Sequence, residues 1–385
     1  MKQNVANLVA HLGIKMFENF EVPNELIPSD PRFGVGPSLV PLEFIESLRK
    51  TGTSLIGTSH RKPAVISIVK EIHTSLRDYF KLPSDYQIII GNGGATFFFD
   101  MIALGLVDKS SAHFVTGEFS NKWFSSHNKV PWIDAFKIDV AFGEGLNPDV
   151  VAGNDMICTT LNETSTGVAI NSIPDLDEET LLAVDATSGA GQIHLDMSKV
   201  DVYFFSAQKI FASEGGTYVA FLSPKAMKRV EAINAKETYV PEIMNFSNAI
   251  SNGEKFQTYN TPSISSLFYF NEQLKVMNAL GEEKVIELAN RKAKLLYDWA
   301  NEKEYLSCYV KEKDFRSNCV ATINVDKKYC VNDLAKRLRE TGVAYDIESY
   351  RKLGENQLRI SLFHNIKYED LEKLVKIVSR AIESI

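Results

Sequence analysis

The stretch VDVYFFSAQKIFASEGG, Val200 to Gly216, limits the possible folds more than any other part of the chain. Its apolar run, Val202–Phe205, stops at Ser206, Ala207, Gln208 and Lys209, and Gly215 and Gly216 follow. A short continuous apolar run bounded by turn residues predicts a strand buried on both faces, as in a parallel sheet. Lys209 then falls just past the strand's carboxyl end, where open α/β sheets hold their ligands. Taken alone, it reads first as an ordinary surface lysine after a core strand. The rest of the chain changes that reading.

The same alternation recurs on either side. YQIII, residues 86–90, is a strand candidate broken at once by Gly91, Asn92, Gly93 and Gly94, and TFFFDMIALGLVD then reads as a buried helix. Strand AHFVTG, a helix around Trp123, and strands DMICTT, LLAVDATS and VYFFSA continue the series. Strands alternating with helices predict a mainly parallel α/β sheet. Before it, Glu18 to Pro37 is turn-rich, and two helical segments flank the loop TGTSLIGTSHRKP, which carries His60 and Arg61. After Pro262 the pattern changes to a helix with Ile286, Ala289, Ala293, Leu296 and Ala300 on one stripe, strand CVATINV, helix VNDLAKRLRETG and strand QLRISLF. A closing helix places Leu371, Leu374, Val375, Val378 and Ile382 on one face. The expected organisation is an N-terminal arm (1–30), a large α/β domain (31–262) and a smaller C-terminal α+β domain (263–385).

Charge and composition remove several function classes. With 42 basic and 49 acidic residues the net charge is −7, which argues against a general nucleic-acid or anionic-membrane binder. No apolar window reaches the length of a membrane span, and the first residues do not read as a signal peptide. Cys158, Cys308, Cys319 and Cys330 are scattered without a CxxC pair, so a reduced, cytoplasmic protein is expected. His11, His73, His113, His127, His194 and His364 show no metal-ligand spacing. They read as structural or exposed, and no metal is expected.

Three strand ends carry the chemistry. The loop GNGGAT offers backbone N–H groups at a helix N-terminus, which suits a phosphate. It partly matches the dinucleotide fingerprint, but the third glycine is missing, and a plain tight turn explains it as well. Asp185 ends the run LLAVD, where a carboxylate costs several kcal/mol to bury unless paired; capping the next turn is the other reading. Lys209 ends the next apolar strand. A phosphate-bearing aromatic aldehyde needs these parts together: an amine for a Schiff base, an acid behind the pyridine nitrogen, and donors for the phosphate. That is the requirement of pyridoxal 5'-phosphate. A nicotinamide enzyme would need an acid ending the strand after the glycine loop, whereas Asp108 precedes that strand.

The motifs RFGVGPS, GTSHR, GNGGATFFFD, GEFSNKW, NETSTGV, VDATSGAG, SAQKIFASEGG, YNTPS and YRKLGENQLRISLF, in this order, resemble the phosphoserine aminotransferase family. This is a group of class V, fold-type I pyridoxal-phosphate enzymes, and the likeness covers Arg32 to Ile385 and looks closest to a branch typified by actinobacteria. The resemblance implies a seven-stranded-type, mainly parallel sheet and transamination between L-glutamate and 3-phosphohydroxypyruvate; some members also serve vitamin B6 synthesis through 4-phosphohydroxythreonine, which the sequence neither includes nor excludes. It implies Lys209 as the Schiff-base lysine, Asp185 as the acid on the pyridinium, and Thr164 on the phenolic oxygen. Ala95, Thr96 and Gln208 match phosphate ligands, and Asn260 and Thr261 match a pair reaching the phosphate from a second subunit, which implies a homodimer with shared active sites. Phe119 falls where many members stack a tryptophan on the ring; core filler is its plainer reading. Arg359 matches the α-carboxylate ligand, and His60, Arg61 and Arg351 match ligands of the distal phosphate or carboxylate. Tyr350 stands where many members carry histidine, and the loop to Arg359 is two residues longer. Other class V activities, such as alanine- or serine-glyoxylate transamination, are the alternative; they leave the cations for a phosphate unexplained. A cysteine desulfurase would need an exposed nucleophilic cysteine, and Cys158 lies in an apolar strand.

Overall fold

The chain is described from residue 16 to 385 by a computed structural model. His11 and the first half of the expected arm lie outside the described residues. The large sheet is built from β1 (Gln87–Asn92), β2 (Ser110–Val115), β3 (Asp134–Asp139), β4 (Met156–Thr160), β7 (Leu181–Asp185), β8 (Val202–Ser206) and β9 (Thr217–Leu222). β5 (Asn162–Glu163) and β6 (Val168–Ala169) form a separate short hairpin between β4 and β7. The strand order is β1-β9-β8-β7-β4-β2-β3. All neighbours pair in parallel except β9, which runs antiparallel to both β8 and β1.

Helices cover both faces, which is why the inner strands of the sheet are buried along their length. On one side Phe98, Phe99, Ile102 and Trp123, from helices Ala95–Gly105 and Glu118–His127, pack with Phe204 and Ala220. On the other, Val69, Ile72 and Leu76 of helix Pro63–Phe80 and Leu267, Phe270 and Leu274 of helix Ile264–Leu280 pack on Val184, Tyr203 and Phe205. β4, β7 and β8 therefore end side by side, Thr160 opposite Asp185 and Asp185 opposite Phe204.

A second core lies under the antiparallel sheet of β10 (Leu306–Cys308), β11 (Val320–Val325) and β12 (Gln357–Ser361), covered by helices Glu282–Glu302, Val331–Glu340 and Tyr368–Glu383. Leu371, Leu374, Val378 and Ile382 are buried there, as the closing helix's stripe predicts. On the helix starting at Glu282, Val285 takes the buried place expected of Ile286, which is half-exposed. The turn-rich lead-in is irregular, yet Phe17, Leu26, Phe33 and Leu39 belong to this second core. Its backbone is tied down by Ser29 on Asp370 (2.6 and 2.7 Å) and by Tyr345 N–H donating to the Pro31 carbonyl (2.7 Å).

Candidate active site

The strand ends open on a cavity of about 170 Å³. Gly93, Gly94, Ala95 and Thr96 line it after β1, Thr160 ends β4, Asp185 ends β7, and Ser206, Gln208 and Lys209 lie at and just past the end of β8, while Phe119 and Thr164 close its sides. Five of the site residues expected from the sequence, Ala95, Thr96, Phe119, Thr164 and Gln208, thus meet with Asp185 and Lys209 in one space. A wider cleft of about 810 Å³ lies at the opposite ends of the strands, where Lys225 pairs with Asp201 and Lys199 with Asp175.

Lys209 is buried, and its ammonium donates to Thr164 Oγ1 at 2.8 Å and stands 5.2 Å from the centre of the Phe119 ring. Burial pushes it down from 10.5 to about 8, against the pull of Asp185. Gly36 lies directly over its side chain: a Cβ there would stand 2.9 Å from Lys209 Cε, and its φ of +143° suits glycine. The hydrogen bonds continue from Thr164 Oγ1 to Ser188 Oγ (2.7 Å) and on to the Asn162 carbonyl (2.9 Å). Burial raises Asp185 from 3.8 to about 6, although the Thr187 N–H (2.9 Å) and hydroxyl (2.5 Å) both donate to Oδ1.

The cavity has acceptors and donors left over. Gln208 Oε1, Thr160 Oγ1 and Asn162 Oδ1 are buried without a hydrogen-bond partner. Such groups cost about 1–3 kcal/mol each when unsatisfied, so the site is built for a polar ligand. The bare peptide of Gly94 faces Ser206 Oγ, which accepts the Ala95 N–H at 2.6 Å. Those features fit a ring with polar substituents and a phosphate over the glycine loop.

Glu163 supports the site in a way that sequence reasoning passes over. Fully buried, it accepts from the N–H groups of Phe119 (3.2 Å) and Ser120 (2.9 Å) and from the Ser120 hydroxyl (2.8 Å), capping the helix that carries Phe119. Gly117 leaves room for it, since a Cβ there would meet Glu163 Cγ at 2.4 Å. The available signal was its place in NETSTGV beside Thr164.

The cationic residues divide. Arg359, on β12, donates to the Thr164 carbonyl at 3.3 Å, while its Nε is buried without a partner and burial lowers it to about 10. Its guanidinium lies 5.3 Å from the Tyr350 ring, which in turn stands 5.6 Å from Phe119. Arg351 is exposed at the adjacent turn, and neither arginine lines the cavity. His60 and Arg61 lie in the loop before helix Pro63–Phe80, and His60 Nε2 is buried without a partner. Asn260 and Thr261 follow helix Phe246–Gly253, the Thr261 carbonyl held by Asn92 Nδ2 at 2.8 Å. None of these four lines the cavity of its own chain.

The structure also unites residues whose spacing gave no hint of it. Donor atoms of His113, His127 and Cys158 lie within 4.8 Å of one another. Ser111 Oγ bonds His113 Nε2 and His127 Nδ1 at 3.0 Å each, and Trp123 donates to His127 Nε2 at 2.9 Å. Both nitrogens of His127 are therefore engaged in a buried hydrogen-bond chain.

Comparison with known proteins places this geometry in context. The family described as aminotransferase class-V matches residues 145–374. A phosphoserine aminotransferase of Corynebacterium glutamicum is 43% identical over 356 residues, covering 92% of this chain and 94% of its own. One from Rhodococcus opacus is 39% identical, covering 94% and 98%. Among solved structures, a phosphoserine aminotransferase from Cytophaga hutchinsonii matches with a TM-score of 0.82 at 25% identity, over 91% of this chain and 99% of that one. A pyridoxal-phosphate-bound phosphoserine aminotransferase from Trichomonas vaginalis, at 20% identity and a TM-score of 0.79 over 91% and 99%, shares the fold.

Proposed function

The chain belongs to the class V aminotransferases, within the phosphoserine aminotransferase family, and on that premise we propose that it moves the amino group of L-glutamate to 3-phosphohydroxypyruvate. The products are 2-oxoglutarate and O-phospho-L-serine. The observation that carries the reading is the meeting of Lys209 and Arg359 on one residue, Thr164, the first through its hydroxyl and the second through its carbonyl. An amine and an arginine without a hydrogen-bond partner for its Nε, both bonded to Thr164, fit an α-amino acid whose carboxylate enters a bidentate pair.

Pyridoxal 5'-phosphate, when bound, supplies the aldehyde that takes up the amino group and a ring that draws electrons from the α-carbon. Lys209 Nζ would hold it covalently and, once displaced by the substrate amine, move the α-proton. A lysine held near 8 has a substantial neutral fraction at physiological pH, which that proton transfer requires. Asp185 would hold the proton on the ring nitrogen, Thr164 would meet the phenolic oxygen, and Phe119 would cover the ring. Ala95, Thr96 and Gln208 would hold the phosphate. Arg359 would orient the α-carboxylate, and Arg351, His60 and Arg61 would meet the distal phosphate or carboxylate.

The residues left outside the cavity support a homodimer with shared sites. Exposed apolar side chains accompany these segments, Ile56 shortly before His60 and Tyr259 immediately before Asn260. A two-fold contact would cover these and bring the four polar residues to the partner's cavity. Four free cysteines, three of them buried, suit a reducing cytoplasm.

Steady-state kinetics with an acceptor panel test the reading. Parallel lines in a two-substrate plot are expected, with kcat/KM for 3-phosphohydroxypyruvate about a hundredfold above those for hydroxypyruvate and glyoxylate. Lys209→Ala should lose nearly all turnover. Equal use of phosphorylated and unphosphorylated acceptors would overturn the substrate assignment.

A further inference from the structure

We propose that Lys122 is a positioning residue for the cofactor's phosphate, acting through Thr96; this rests on the pyridoxal-phosphate reading of the site. The residues matched to that phosphate, Ala95, Thr96, Gln208, Asn260 and Thr261, are all uncharged. A phosphate monoester carries about −1.5 to −2 at neutral pH, and donors without charge leave that largely uncompensated. Lys122 Nζ donates to Thr96 Oγ1 at 3.0 Å, so the ammonium's partner is a cradle hydroxyl and not a carboxylate. Thr96 faces the cavity, and Lys122 approaches it from the solvent side. Because Thr96 Oγ1 accepts from Lys122, its own proton is free to be donated to a phosphate oxygen, and the ammonium strengthens that donor.

The placement is built into two packed helices. Lys122 lies one turn after Phe119 and shares its face of the helix. Three contacts then run in register between the helices: Lys122 with Thr96, Trp123 stacked on Phe99 at 5.3 Å, and the Ser126 hydroxyl on Asp100. One helix, capped by Glu163, therefore sets both the aromatic wall of the cavity and the cation beside its phosphate cradle.

The test separates a phosphate role from a packing role. Cofactor-free protein is titrated with pyridoxal 5'-phosphate and, separately, with pyridoxal, which has no phosphate, following the visible absorbance of the bound form at low and high potassium chloride. Lys122→Met should weaken pyridoxal-phosphate binding about tenfold and leave pyridoxal binding within about twofold, and Lys122→Arg should restore most of the loss. The gap between wild type and Lys122→Met should narrow at high salt. Unchanged pyridoxal-phosphate affinity in Lys122→Met, or an equal loss for pyridoxal, would overturn the proposal. Wild-type protein that takes up no pyridoxal phosphate would overturn the cofactor reading itself.

Discussion

Lys209 is held in an environment that disfavours its charge, and that has a measurable cost to the fold. Between pH 8 and 10.5 the folded, cofactor-free protein binds fewer protons at this site than the unfolded chain does, because burial has lowered the folded value. Stability therefore rises with pH through that window, and the cost is fully present below pH 8. A shift from 10.5 to about 8 corresponds to about 3 kcal/mol. Lys209→Met in the cofactor-free protein should gain about 1–3 kcal/mol at pH 7, the range allowing for the lost Thr164 hydrogen bond, and the gain should vanish near pH 10.5. Urea melts at the two pH values check this; a variant less stable than wild type at pH 7 would contradict it. The lysine and Asp185 were legible in the sequence because each ends a continuous apolar run, and a charge at a buried strand end demands a reason. Glu163 was not legible in the same way. Its partners Phe119 and Ser120 lie 44 and 43 residues earlier, and nothing local marks a carboxylate as the cap of a distant helix.

Among the elements, those with one unbroken pattern were the readable ones. β4, β7 and β8 are buried along their whole length and appear as apolar runs. β3 was obscured because it is an edge strand with DAFKID mostly facing solvent, and β9, though fully buried, gave no sign of running antiparallel. The loop from Ser349 to Asn356 departs from the family pattern in sequence, and the structure shows what it packs against. Tyr350 fills the space between the Arg359 guanidinium and Phe119, and Lys352 reaches Glu118 at 3.3 Å. The loop thus clasps β12 to the helix carrying Phe119, and the aromatic face does the holding. A partly desolvated cation–π contact is worth about 1–2 kcal/mol. Tyr350→Leu should therefore cut kcat/KM for glutamate about tenfold, mainly through KM, while Tyr350→Phe keeps it within about twofold. If Tyr350→Phe instead loses activity only with the phosphorylated acceptor, the hydroxyl is a phosphate ligand and the ring is secondary.

At the scale of the whole molecule, the chain crosses the site before it builds it. Phe33 is tied to β12 through its carbonyl, which accepts the Ser361 N–H at 3.0 Å, and Ser38 N–H donates to the Gln208 carbonyl at 2.9 Å, with Gly36 between them over Lys209. This strap joins the second core to the strand end that carries the lysine, so the two cores cannot move apart without disturbing the cofactor cavity. In the homodimer proposed above, the far side of the substrate site would come from a second copy. His60 and Arg61 are exposed or half-buried and lie outside their own cavity, which is compatible with the proposed use by a second copy. Hybrid dimers decide the matter. Lys209→Ala and Arg61→Ala are each expected to be nearly inactive with 3-phosphohydroxypyruvate as homodimers. If Arg61 serves the partner's site, a hybrid puts both defects in one site and leaves the other intact. Random reassociation of equal amounts makes half of the dimers hybrids, so about one-quarter of wild-type activity should return. If Arg61 serves its own chain, each site of the hybrid carries one defect and mixing restores nothing. Activity measured after dissociation and reassociation of the two variants, against each variant treated alone, distinguishes the cases.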